Sequence, residues 1–283
     1  MFKMFKRFFG KCCPTKSIEN IDGWTKRYRE KRIIGGGSCS TIVLAVDDWT
    51  EEKVVLKKAK NKTERREIAA EYELLRILDH PNIIKPVDFV FEGFGFMVMP
   101  YYKKDMFERA STKRLSHADM KMFVQKMTSA MNYLHSHDIV HRDIKPENIL
   151  INRDYSSIVL TDFGFSQKVT KNVTNICGTM SYIAPEALRD LQMNDFSNFL
   201  DWKKCDVFSL GVTFYTVYEF DFLFYMRKDD ETAMPSQRYI NKQIDLMKGD
   251  GDLKDLLKKM IVVDPEQRIS MNDVSRHPYL ILK

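Results

Sequence analysis

His141-Arg142-Asp143-Ile144-Lys145-Pro146-Glu147-Asn148 places an aspartate, a lysine and an asparagine on one short loop. Asp143 and Asn148 stand five positions apart with Lys145 between them, and Pro146 stiffens the turn by fixing its φ. A carboxylate, a cation and an amide oxygen are thereby held close together. That combination suits phosphoryl transfer, which needs positioning and charge neutralisation more than covalent help. The carboxylate orients a hydroxyl nucleophile, the cation faces the moving phosphoryl group, and the amide oxygen helps to hold a divalent metal. A lone His-Arg-Asp is a weak signal; eight residues in register are a strong one, provided that the chain supplies the remaining parts in order.

Downstream, Ile149-Leu150-Ile151 and Ile158-Val159-Leu160 form a short apolar hairpin that delivers Asp162-Phe163-Gly164. Asp162 is then placed to chelate Mg²⁺ on nucleotide phosphates, with Asn148 as the second metal ligand. The polar stretch after it is long enough to act as a switchable loop, and it ends in Cys177-Gly178-Thr179-Met180-Ser181-Tyr182-Ile183-Ala184-Pro185-Glu186. Asp206 opens an apolar helix and is placed to hold the backbone of the opening loop. Leu253–Val263 repeats with helical period, and Arg268 supplies a cation for Glu186. Leu191, Phe196, Phe199 and Trp202 mark residues 189–203 as a packed excursion.

Upstream, residues 33–45 read as a glycine-rich hairpin in which Gly35 and Gly37 let the backbone approach a phosphate closely. Val54-Val55-Leu56-Lys57 follows as a buried strand whose lysine reaches the α and β phosphates. Glu64–Leu78 is a helix with Glu71, Leu74, Leu75 and Leu78 on one stripe, which sets a carboxylate beside an apolar face. Phe89–Met99 is strand-like, and Pro100-Tyr101-Tyr102 breaks it into a connector. Pro100 has no N–H, so Tyr102 becomes the backbone donor for adenine and Met99 lines the back of its pocket. Ser116 caps a long amphipathic helix to His135, whose Phe123, Met127, Ala130, Met131 and Leu134 are core.

The chain has 283 residues, 44% hydrophobic and 30% charged, which is the make-up of a globular protein. No apolar run approaches the roughly 20 residues of a membrane-spanning helix. Five irregularly spaced cysteines form neither a disulfide framework nor a zinc pattern, so a reducing compartment, cytosol or nucleus, is expected. The net charge of +6 belongs to the N-terminus: residues 1–32 hold ten Lys/Arg against three Asp/Glu, leaving 35 basic and 36 acidic groups elsewhere. A neutral body disfavours nucleic acid as a partner. Within the arm, Phe2, Phe5 and Phe9 share a helical side bordered by Lys3, Lys6 and Arg7, ahead of Cys12 and Cys13. Residues 1–13 therefore have two readings, a segment whose phenylalanines dock on the protein's own body, and a peripheral membrane contact with an acylated cysteine.

Taken in order, these motifs resemble the eukaryotic-type serine/threonine protein kinases over residues 28–280, and they look most like the calcium/calmodulin-dependent and cyclic-nucleotide-dependent groups. Lys145, two residues after Asp143, is similar to the serine/threonine branch. The resemblance implies an α+β fold: a small antiparallel β-sheet lobe with one regulatory helix, and a larger, mainly helical lobe, with ATP in the cleft. It places a basic arm at 1–27 and a kinase domain at 28–283, divided into an N-lobe at 28–99, a hinge at 100–104 and a C-lobe at 105–283. Carried over residue by residue, Asp143 is the catalytic base, Lys145 contacts the γ-phosphate, and Lys57 pairs with Glu71. Asn148 and Asp162 bind Mg²⁺, and Thr179 touches Asp143 and Lys145. Ile34, Gly35, Gly37, Ile42, Val55, Met99 and Leu150 line the nucleotide site with Lys57, Tyr102 and Asp105. Protein substrates are the implied partners, and no obligate partner is evident. Asp105 and Glu147 match positions that face an arginine before the acceptor in basophilic relatives; otherwise Asp105 holds the ribose.

The chain departs from the pattern in four places. Ser40 stands at the third glycine of the nucleotide loop, Pro100 replaces an acidic hinge residue, and residues 189–203 are long for the link that they form. Asn175 occupies the usual phosphothreonine position, so either Thr174 supplies, one residue early, the phosphate that Arg142 would meet, or the loop is ordered without a phosphate; Thr174 is the favoured reading. A non-catalytic scaffold would lack Lys57, Asp143 or Asp162, and all are present.

Overall fold

The computed structural model describes residues 27–36, 40–91, 93–152, 155–169, 177–193, 200–224 and 236–281. Residues 1–26 of the N-terminal arm, Gly37, Ser38, Cys39, Thr174, Asn175, Phe196 and Phe199 lie outside them. The chain divides into two compact units. One holds the described residues up to Asp79 together with Ile84–Tyr101; the other holds His80–Ile83 and the described residues from Tyr102 onward.

The first unit is built on β1 (Tyr28–Gly36), β2 (Thr41–Asp47), β3 (Lys53–Lys58), α1 (Lys62–Ile77), β4 (Asp88–Val90) and β5 (Phe96–Pro100). The strands form an antiparallel sheet in the order β1-β2-β3-β5-β4. Because side chains alternate across a strand, the register sorts them onto two faces. Tyr28, Val43, Ala45, Val54, Leu56, Phe96 and Val98 form a buried cluster on one face. On the other face lie the cross-strand rows Ile42–Lys57–Met97 and Leu44–Val55–Met99. A register shift between Ile33 and Gly35 puts Gly35 opposite Ile42 and leaves Ile34 38% exposed.

Asn61 and Glu64 start α1 with a reciprocal cap. Asn61 Oδ1 accepts from the Thr63 and Glu64 amides, and Glu64 Oε2 accepts from the Lys60 amide at 2.6 Å. This cap explains why the helix begins two residues before the expected Glu64. Pro100 also differs from its expected role. It ends β5 opposite Val54, an allowed place because a strand-terminal proline sacrifices no needed ladder donor. Arg27 ties the start of β1 down: its guanidinium grips Asp47 through Nε at 3.1 Å and Nη2 at 2.9 Å, and lies over the Trp49 ring.

The second unit continues with β6 (Lys104–Asp105), α2 (Met106–Thr112), α3 (His117–Ser136), β7 (Ile139–Val140), β8 (Ile149–Ile151), β9 (Ile158–Leu160) and β10 (Gln167–Lys168). It ends with α4 (Pro185–Met193), α5 (Trp202–Glu219), α6 (Gln237–Leu246), α7 (Gly251–Met260), α8 (Met271–Ser275) and α9 (Pro278–Ile281). Ser116 caps α3 by accepting from the Asp119 amide, as its position suggested. The apolar stripe of α3 is fully buried, with Phe123 edge-on to Phe214 of α5.

Helix α5 is buried on nearly every side between Cys205 and Val217, mostly through apolar residues, because it is the axis of this unit. Gly211 is what lets α7 approach it: a Cβ there would stand 2.7 Å from Ile261 Cγ1 and 2.9 Å from Met260 Cβ. Asp206 lies inside α5 instead of opening it, since Asp201 is the cap and Trp202 the first helical residue. His80–Ile83 packs here through Asn82, which donates to Ile158 O and accepts from the Leu160 amide, both at 2.9 Å.

Candidate active site

The candidate residues of the first unit share one sheet face. Ile42, Val55, Lys57 and Met99 are brought together by register alone, because direct and diagonal cross-strand neighbours on one face touch. Glu71 reaches the same face from α1, where its carboxylate meets Lys57 Nζ at 2.7 Å. Both side chains are well buried, 12% and 2% exposed, which makes this a largely desolvated ion pair. Gly35 stands over Ile42, Ile34 is partly exposed, and Gly37 lies outside the described residues.

In the second unit the opening loop forms a closed hydrogen-bonded set. Lys145 Nζ donates to Asp143 Oδ2 and to Thr179 Oγ1, both at 2.7 Å, and the Thr179 hydroxyl donates to Asp143 Oδ1 at 2.7 Å. Asn148 Nδ2 donates to the Asp143 carbonyl at 2.8 Å and to Oδ2 at 3.0 Å. Its amide is thereby oriented, and its Oδ1 remains an acceptor for a cation. The Asn148 carbonyl accepts from the Thr161 amide at 2.9 Å, which holds Asp162 next to the loop. Asp162 itself has φ 61°, a left-handed conformation rare for a non-glycine residue. Such strain persists where neighbours over-determine it, and here Phe163 is buried edge-on against the His141 ring.

Asp206 anchors this loop from below, as expected. Its Oδ2 accepts from the His141 amide at 2.8 Å, and its Oδ1 accepts from the Arg142 amide at 2.8 Å. Two histidines complete the support, and neither has a role of its own in the reading from sequence. His135 Nε2 lies 3.1 Å from Asp206 Oδ2. The His141 ring is fully buried, which pushes its pKa down and keeps it neutral. The neutral Nε2–H tautomer fits both its contacts: Nε2 donates to the Thr161 carbonyl, and Nδ1 accepts from the Asp143 amide. A second proton on Nδ1 would face that amide.

Asp105 and Leu150 are register partners in the three-stranded sheet β6-β8-β9. Asp105 also caps α2 by accepting from the Glu108 amide at 2.7 Å. Burial pushes its carboxyl up, and burial does the same to Glu147, with the negative charge of Asp105 adding to the effect. Glu147 Oε2 is buried without a hydrogen-bond partner among the described residues. The Tyr102 hydroxyl meets Ser157 Oγ at 3.1 Å. Arg268 grips Glu186 with two hydrogen bonds of 2.6 and 3.0 Å, as the sequence led us to expect.

The protein kinase domain model matches residues 28–280. The chain is similar to calcium-dependent protein kinase 4 of Plasmodium berghei, 31% identical over 293 residues, covering 95% of this chain and 52% of the relative. It is also similar to SNF1-like protein kinase ssp2 of Schizosaccharomyces pombe, at 29% identity over 89% of this chain and 44% of that one. Rat serine/threonine-protein kinase DCLK1 is 30% identical over 90% of this chain and 60% of its own length. The chain thus spans about half the length of the curated relatives that it matches. With a sheet-based first unit, a mainly helical second unit and a family match over nearly its whole described length, the chain belongs to the eukaryotic-type serine/threonine protein kinase family.

Proposed function

We propose that this protein is a serine/threonine protein kinase that transfers the γ-phosphate of ATP to Ser or Thr hydroxyls of protein substrates. The observation that carries this reading is the set Asp143–Lys145–Thr179, closed by three hydrogen bonds of 2.7 Å. Asp143 is the base that orients the acceptor hydroxyl and takes its proton. Lys145 neutralises charge on the transferred group, and Thr179 keeps the carboxylate and the ammonium in register. Lys57, held by Glu71, takes the α and β phosphates, and Ile42, Val55 and Met99 on its sheet face contact the nucleotide with Ile34, Gly35, Gly37, Tyr102 and Leu150.

The donor set of Asn148 Oδ1 and the Asp162 carboxylate suits Mg²⁺, a hard cation that prefers a few protein oxygens plus phosphates. When bound, it would supply charge neutralisation at the phosphate oxygens. Every other part of the mechanism belongs to the side chains named above.

The same site supports a preference for arginine before the acceptor. Two partly buried carboxylates, Asp105 and Glu147, lie near each other, and one Glu147 oxygen has no partner among the described residues. An incoming guanidinium would satisfy both. A peptide array with ATP and Mg²⁺ tests both claims. Asp143→Asn should reduce transfer by about 10²–10⁴-fold, the usual contribution of a general base. Unchanged transfer by that variant overturns the catalytic assignment, and an array without basic preference ends the arginine reading.

No described helix is long and apolar enough to cross a membrane. Residues 1–13 of the arm remain the candidate for peripheral membrane contact, and they lie outside the described part of the chain.

A further inference from the structure

Thr179 makes two of the three hydrogen bonds that close its set with Asp143 and Lys145, so the reach of its hydroxyl matters as much as its identity. Two neighbours govern that reach. Gly178 precedes it with φ 124°, a conformation that L side chains rarely adopt, and a Cβ there would stand 2.9 Å from the Arg142 carbonyl oxygen. Ordinary contact begins at 3.4 Å, so a side chain would force the two backbones about 0.5 Å apart. The loop is not free to give way, because Asp206 Oδ1 accepts from the Arg142 amide at 2.8 Å.

Ser209 supports the other end of the same short stretch. Its Oγ donates to the Tyr182 carbonyl at 2.8 Å, with a longer approach of 3.2 Å to the Cys205 carbonyl in its own helix. The Tyr182 and Ile183 amides in turn donate to the Thr179 carbonyl at 2.8 and 3.1 Å. Ser209 stands three positions after Asp206 on α5, so the two share one side of that helix. Asp206 carries the backbone that leads into Asp143, and Ser209 carries the turn that begins with Thr179. Helix α5 is the common base of both halves of the set.

Resting on the kinase reading above, we infer that Gly178 and Ser209 are positioning residues for Thr179. Gly178 acts by lacking a side chain and Ser209 by holding the Tyr182 carbonyl, and together they set the Thr179 hydroxyl at 2.7 Å from Asp143 Oδ1, where it orients the base.

The test uses the full chain, ATP with Mg²⁺ and a peptide substrate, with Tm recorded for every variant. Gly178→Ala should lower kcat about tenfold, since a displacement near 1 Å costs about 10²-fold and this one is about half as large. Ser209→Ala should lower kcat about fivefold, the scale of one lost hydrogen bond. In both, the KM for ATP should move by less than about twofold, because the lost interaction concerns the reacting hydroxyl and not the nucleotide. Thr179→Val removes the hydroxyl and separates positioning from general damage. Added to it, Gly178→Ala or Ser209→Ala should cost less than about twofold more, because a residue acting through Thr179 has nothing left to act on. Full additivity in these cycles, or an unaltered kcat in either single variant, overturns the inference. Should Gly178→Ala not fold, the Ser209→Ala cycle decides. An unaltered kcat in Thr179→Val removes Thr179 from the mechanism and the inference with it. If the unaltered protein transfers no phosphate, the kinase reading fails. Hydrogen exchange of the Tyr182 and Ile183 amides, which should quicken in both single variants, then decides whether Gly178 and Ser209 hold Thr179.

Discussion

Asp206→Asn probes the support of the site most directly. The native carboxylate is 1% exposed and accepts three hydrogen bonds: from the amides of His141 and Arg142 at 2.8 Å each, and from His135 Nε2 at 3.1 Å. Asparagine keeps the shape but turns one acceptor into an NH₂ donor. With its oxygen towards Arg142, the NH₂ faces the His141 N–H; flipped, it faces the Arg142 N–H. His135 can change tautomer and accept, but neither amide can. One buried N–H is therefore unmet in either orientation, at about 1–3 kcal/mol, and the surviving bond loses its charge assistance, about another 1 kcal/mol. The expected loss of stability is about 2–4 kcal/mol, which lowers Tm by roughly 4–16 °C for a unit of this size. The functional consequence follows from the left-handed φ of Arg142, whose amide Asp206 holds. Letting it relax shifts Asp143 by a fraction of its hydrogen-bond length, and a misplacement near 1 Å costs about 10²-fold in rate. Thermal unfolding by circular dichroism and steady-state kinetics with a peptide substrate read the two effects. A variant with wild-type Tm and wild-type kcat would refute the claim that this carboxylate holds the loop.

Other outcomes follow from the same contacts. Arg268→Met should destabilise by about 3–5 kcal/mol because it leaves the Glu186 carboxylate buried without its cation, whereas Glu186→Leu/Arg268→Met should recover most of that loss in a denaturant titration. Glu71→Gln should leave the fold intact and reduce kcat/KM for ATP, since Lys57 loses its 2.7 Å partner; equal kinetics would remove that pair from the mechanism. The Glu147 pKa lies above its unfolded value, so the folded state holds the extra proton and stability falls as pH rises through that window. Glu147→Gln should therefore raise Tm at pH 7 while abolishing any arginine preference on a peptide array. His141 behaves oppositely: burial depresses its folded pKa below the ordinary histidine value, the unfolded chain binds the proton, and stability should decline as pH falls below about 6.5. Cys12→Ser/Cys13→Ser should release a membrane-associated pool on cell fractionation if the arm is acylated; unchanged fractionation ends that reading.

What the sequence determined by itself was local. Eight contiguous loop residues, the strand ending in Lys57 and the stripe carrying Glu71 could be read because each depends on periodicity or turn chemistry within a few positions. The cap of Asn61 and Glu64 was equally local and went unread, which set the helix start two residues late. Strand register then put Ile42, Val55, Lys57 and Met99 on one face, a consequence of alternation once the pairing is known. Only tertiary structure decided the rest. Gln167 and Trp202 meet Arg142 from 25 and 60 positions away, and His135 reaches Asp206 from 71. Contacts at such separations are set by how helices and loops pack around α5, and nothing in the flanking residues of a glutamine or a histidine records its eventual partner. The opening loop names the chemistry because its geometry is contained within it, whereas what holds Arg142 is a property of the packed unit.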